Sequence, residues 1–146
     1  MNMQEAFQSQ YLASLKMLKE AIVKCPPGIW NARGDRDRFW FKAQHALYWL
    51  DRYLRAADRR FEAWKVRRKP DPASPASKAD LLEHVSFLEQ QLRHKMGSGG
   101  LDMEKLELHI INIRHVQQHT GELYERLGSR GHVLLHWTEE VRRKNQ

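Results

Sequence analysis

Apolar residues recur at intervals of three and four along most of this chain, the spacing that lays a stripe along one face of an α-helix. Phe7, Tyr11, Leu15, Leu18 and Ile22 predict a helix over residues 3 to 24, stopped by Pro26, Pro27 and Gly28. A second predicted helix is N-capped by Asp35 and runs to Trp64, with Phe39, Trp40, Phe41, Leu47, Tyr48, Leu50, Leu54 and Phe61 spread over a wide face. Such a face predicts packing on more than one side. Pro70, Pro72 and Pro75 then make a connection of about ten residues before Ser77, whose spacing to Asp80 approximates a capping box. A third helix follows, near Lys78 to Met96. After the break at Gly97, Ser98, Gly99 and Gly100, a long fourth helix spans Leu101 to Leu127 and is ended by Gly128 and Gly131. The short tail from His132 is a candidate to fold over one end.

No run alternates β-branched and polar residues, no repeat is evident and nothing marks a second domain. The expectation is one all-α domain over residues 1–146, a four-helix bundle. The connection between the second and third helices is long enough to cross over, whereas the next is short and suits antiparallel neighbours. With 41% hydrophobic and 29% charged residues and five prolines, disordered and low-complexity classes are excluded. The longest apolar runs, such as Ala46 to Leu50, fall far short of the ~20 residues of a membrane span, and the polar start Met1 to Gln10 has no signal-peptide core. No membrane association and a cytoplasmic location are expected. A single cysteine, Cys25, reads as a small buried thiol, so any metal is left to His or carboxylate.

Eight histidines in 146 residues are the composition's one odd feature. In the fourth helix His115 and His119 stand four apart, so their imidazoles lie within about 40° of each other on one face. Asn112 and Glu122 project onto the same stripe, within an arc of roughly 80° on a helix otherwise rich in Ile, Leu and Val. Unpartnered burial of such groups costs on the order of 1–3 kcal/mol each, and an ion with its surrounding hydrogen bonds removes that cost. A third ligand must come from another helix, and His45, set among Phe41, Tyr48 and Trp49, is the leading candidate. Three neutral imidazoles leave positions open for water or substrate, as in catalytic zinc sites. They suit zinc, nickel, iron or copper, and Glu122 could orient a ligand or move a proton. His132 and His136 form a rival pair beyond the glycines. His84 and His94 read as solvated, His109 as packing or rim, and Trp40, Trp49 and Trp64 as core or pocket wall.

The segments Gln44-His45-Ala46-Leu47-Tyr48-Trp49-Leu50-Asp51 and His115-Val116-Gln117-Gln118-His119-Thr120-Gly121-Glu122-Leu123, with the Pro-Pro-Gly-Ile-Trp that follows the first helix, resemble the DinB-like (YfiT-like) metal-dependent enzyme superfamily. The resemblance covers nearly the whole chain. It implies a four-helix bundle of up-down-down-up topology and a divalent ion, zinc or nickel before iron, on His45, His115 and His119. Members with assigned activities are thiol-dependent transferases and isomerases, which implies a small-molecule substrate and a low-molecular-weight thiol. Where members often carry His-Arg-Gly-Gln, this chain has His119-Thr120-Gly121-Glu122, and an extra His is replaced by Gln118; the three ligands are untouched.

A second reading starts from the net charge of +7. Arg52, Arg55, Arg59, Arg60, Lys65, Arg67, Arg68 and Lys69, interleaved with Trp64, could draw phosphates, as in a nucleic-acid-binding module. No helix-turn-helix or zinc-finger signature accompanies them, and the enzyme reading ranks above it. A third reading is a non-catalytic, metal-stabilised scaffold. The aromatic-rich second helix also predicts a homodimer.

Overall fold

The computed structural model describes residues 1–66 and 68–132. Five α-helices, α1 (Met3–Lys24), α2 (Pro27–Trp30), α3 (Phe39–Ala57), α4 (Lys78–Lys95) and α5 (Leu106–Ser129), and a 3-10 turn at Met103–Lys105 make up the structure, with no strand among the described residues. The predicted tail beyond His132, with His136, lies outside the described residues, as does Arg67.

Helix α1 matches its predicted span. Asn2 caps it by accepting from the Glu5 amide at 2.9 Å while the Glu5 carboxylate accepts from the Asn2 amide at 3.0 Å, satisfying two N–H groups that have no partner within the helix. Its apolar stripe of Tyr11, Leu15, Leu18 and Ile22 is buried. At its C-terminus the Lys78 ammonium donates to the carbonyls of Cys25 (2.6 Å) and Val23 (3.1 Å). Pro26 and Pro27 end α1 and start the short α2, a turn the periodicity did not predict.

Helix α3 is shorter at both ends than its pattern suggested. Asp35 does not cap it: Arg38 stands at the N-cap position, and the Asp35 carboxylate instead takes Arg130 at 2.6 Å with Arg126 at 3.7 Å, tying the preceding loop to the end of α5. At the other end the Asp58 carboxylate accepts from the Arg60 amide at 2.9 Å and from its guanidinium, and Asp58 turns extended at φ −149°. A local side-chain-to-backbone bond of this kind competes with the helical ladder. Phe61 and Trp64 keep the helical spacing yet reach the protein interior from irregular backbone, Phe61 buried and Trp64 half-buried. The connection to α4 therefore covers residues 58–77.

Helix α4 begins where Ser77 accepts from the Asp80 amide at 3.1 Å. Gly99, at φ +85°, turns the chain toward α5 in a conformation that other residues rarely adopt. Helix α5 ends in a Schellman motif, with the His132 amide bonded to the Leu127 carbonyl (3.0 Å) and that of Gly131 to Gly128 (3.1 Å), Gly131 having φ +80°.

The four long helices share one core, built on Tyr11, Leu18, Phe39, Leu47, Leu88 and Leu123 among others. Contacts fix their pairing. Gln4 and Gln8 of α1 reach the carbonyls of Met96 and Leu92 at the end of α4. Tyr11, Ser14 and Met17 of α1 meet His109, Gln117 and Tyr124 of α5 in the same order. Lys42 and Leu50 of α3 meet Glu122 and Asn112 of α5 in the opposite order. Asp51 of α3 meets His84 of α4.

Candidate metal centre

The opposed run of α3 and α5 brings His45 to the pair His115 and His119. One ring nitrogen from each lies within 4.8 Å of the others. His115 and His119 approach most closely, Nε2 to Nε2 at 3.1 Å. Two nitrogens bound to one tetrahedral zinc at ~2.0–2.1 Å sit about 3.3 Å apart, so this pair already has the spacing an ion requires. The His45 ring lies 5.3 Å from that of His115 and 4.8 Å from that of His119, centroid to centroid. All three are half-buried. Phe41 stacks on His45 at 6.5 Å, Trp49 meets its edge at 6.3 Å, and Tyr53 stands 6.4 Å from His115, so α3 supplies an aromatic wall.

The other nitrogen of His119 decides which of its atoms faces the cluster. Nδ1 faces the Glu122 carboxylate at 3.4 Å. A carboxylate that holds Nδ1–H leaves the Nε2 lone pair pointing inward, the arrangement that makes a histidine a better ligand. Glu122 is itself held by the Lys42 ammonium through the same oxygen, and Lys42 lies 3.8 Å from Asp37. Burial raises the Glu122 pKa, but the bonds from Lys42 and His119 outweigh it and hold the carboxylate below its usual range. Burial, then the neighbouring His119 and His115, push His45 down to about 4. Burial and His119 lower His115 as well. His45 and His115 therefore stay neutral at physiological pH, the form in which an imidazole can bind metal. His115 Nδ1 is buried with no partner among the described residues.

The structure thus gathers His45, His115, His119 and Glu122. It does not bring Asn112 to them: that side chain is fully buried and donates to the Leu50 carbonyl at 3.1 Å and the Tyr11 hydroxyl at 3.4 Å. Tyr11 in turn bonds His109 Nδ1 at 2.8 Å, making His109 a buried packing residue, as expected. Lys42 was not singled out from the sequence; its spacing of three from His45 was the only signal, and its partner lies 80 residues away. His84, read as solvated, is buried instead, because Asp51 takes its Nε2 at 3.2 Å and Trp64 stacks on its ring at 5.2 Å. His94 is exposed and Cys25 is buried, where desolvation lifts the thiol pKa to about 11.

The basic segment is partly spent inside the chain. Arg55 bonds Asp51 at 2.6 Å, Arg60 bonds Asp58 at 2.6 Å and Lys65 bonds Glu83 at 2.8 Å, while Arg52, Arg59, Arg68 and Lys69 are exposed. No described helix is long and apolar enough to cross a membrane. Comparison with known proteins gives no match: no family model, no curated protein and no solved structure aligns with this chain.

Proposed function

We propose that this chain is a divalent-metal-dependent enzyme of the DinB-like type, acting on a small electrophilic substrate with a low-molecular-weight thiol or water as nucleophile. The observation that carries the reading is the convergence of three imidazole nitrogens from two helices within 4.8 Å. The order of contacts along the helix pairs supports the up-down-down-up topology that the sequence resemblance implies. His45, His115 and His119 would hold the ion, with zinc or nickel as the first candidates. A bound divalent ion would lower the pKa of a coordinated thiol or water and so supply a nucleophile at neutral pH. Glu122 keeps His119 in the tautomer that presents Nε2, and as a carboxylate it can hold a proton released at the site. Lys42 keeps Glu122 in place and ionised. Phe41, Trp49 and Tyr53 form a wall against which the apolar part of a substrate can lie. The half-exposed aromatic row on α3 also supports a homodimer, and the protein is proposed to work in the cytoplasm.

Elemental analysis of protein purified without a nickel column tests the site, with close to one divalent ion per chain expected and loss of it in His115→Ala. Unchanged metal content in the variant overturns the assignment. Screening the metal-loaded protein for metal-dependent consumption of small thiols separates an enzyme from a metal-stabilised scaffold. Nucleic-acid binding ranks below this reading because three of the seven described basic side chains of that segment, Arg55, Arg60 and Lys65, bond intrachain carboxylates.

A further inference from the structure

A cavity of about 350 Å³ opens between α3, α4 and the connection that joins them, and none of the three clustered histidines lines it. Its size is at the small end of the ~300–1,000 Å³ range of ligand pockets, room for one small molecule. Tyr48, Trp64, Gln44 and His84 are among its walls. His84 is clamped there. Its Nε2 lies 3.2 Å from the Asp51 carboxylate, and Trp64 lies nearly parallel to its ring at 9° and 5.2 Å. Asp51, 5% exposed, also accepts from Arg55 at 2.6 Å and from the Trp64 amide at 3.2 Å. A carboxylate so held fixes Nε2 as the donor and leaves Nδ1 as an acceptor. His84 lines the cavity, and among the described residues its only side-chain hydrogen bond is the one from Nε2 to Asp51. Gln44 offers an acceptor: its Oε1 is buried and without a partner among the described residues. A buried acceptor without a partner on a residue that lines a cavity, a kind of atom that folded proteins rarely leave unpaired, calls for a ligand that donates. Among the lining residues Lys65 is bonded to Glu83, and Arg68 and Asp80 add one charge of each sign, so the charges balance and favour no strongly charged ligand.

We propose that this cavity is a second small-molecule site, independent of the three-histidine cluster, for a neutral planar ligand whose edge presents N–H donors. A primary aromatic amide and an aminopurine share that chemistry. Asp51 and Trp64 orient His84, and Gln44 and His84 accept from the ligand edge.

The test titrates benzamide, adenine and methyl benzoate, which has the shape of benzamide but no N–H, into the full-length protein, with NMR at the His84 ring nitrogens and the Trp64 indole. Saturable shifts are expected with benzamide or adenine and none with methyl benzoate. In Gln44→Leu the unliganded protein should melt no lower, since the change removes an unanswered acceptor, while affinity for the better probe falls roughly tenfold or more. In His115→Ala the affinity should not change. Absence of shifts with both donor probes up to their solubility overturns the proposal. So does equal binding of methyl benzoate, unaltered affinity in Gln44→Leu, or loss of binding in His115→Ala.

Discussion

Glu122 meets an ammonium and an imidazole through one carboxylate oxygen, and that sharing sets what each neighbour contributes. Removing Lys42 or Glu122 from the chain Lys42–Glu122–His119 should weaken metal binding at the proposed site without removing a ligand. Lys42→Met and Glu122→Gln are each expected to lower metal affinity about 10–100-fold, with Lys42→Arg recovering most of the loss, read by competition with a chromophoric chelator. Parent-like affinity in both would show that Glu122 does not orient His119. His109 tests a different effect. Burial lowers its pKa, whereas in the unfolded chain it titrates near ~6.5. Between those two values the unfolded state binds more protons, so stability is complete above about 6.5 and falls as pH drops below it. Urea midpoints of chelator-treated protein should therefore decrease from about pH 7.5 to 5.5, with a shallower decrease in His109→Phe. An identical slope in the variant would assign the effect to other groups. At this scale the sequence pointed to the three imidazoles and Glu122, because residue type and an i, i+4 spacing are local facts. It could not point to Lys42 or to the burial of His84, since each depends on a partner in another helix.

The helices divide into ends set by local chemistry and ends set by competition. Ser77 at the head of α4 and Gly131 beyond α5 act as their residue types lead one to expect. Ser77→Ala should cost about 1 kcal/mol through the lost cap. Gly131→Ala should cost a similar ~1 kcal/mol through the left-handed conformation it forces on alanine. Both are measured as shifts in denaturant midpoint at unchanged slope, and a neutral result at Gly131 would mean that the Schellman turn is not formed in solution. The limits of α3 were less legible. Asp35 has the composition of a cap but is drawn to Arg130 and Arg126, residues that only the fold brings near. Beyond Ala57 the apolar spacing persists, but Asp58 binds the Arg60 backbone, and a tight turn then buries Phe61. Hydrophobic periodicity records which residues go inside; it does not record whether the backbone between them is helical.

In the whole molecule, metal binding at the proposed site would be linked to folding, because His45 comes from α3 and His115 and His119 from α5, and they converge only when those helices pack. Free metal a hundredfold above its Kd adds about 2.7 kcal/mol of stability by mass action. Chelation should accordingly lower the melting temperature of the parent but not that of His115→Ala; equal shifts in both would place the effect elsewhere. The sequence by itself determined the helical class, the approximate span of four long helices and the candidate ligands, because amphipathic spacing, caps and breakers act within a few residues of one another. Only the tertiary structure decided which residues flank those ligands, that Asn112 turns to Tyr11 and Leu50, and that Asp51, His84 and Trp64 close around one another beside a cavity. Those outcomes depend on distances between segments 13 to more than 100 residues apart, and close packing of the shared core sets them, not any preference of the residues concerned.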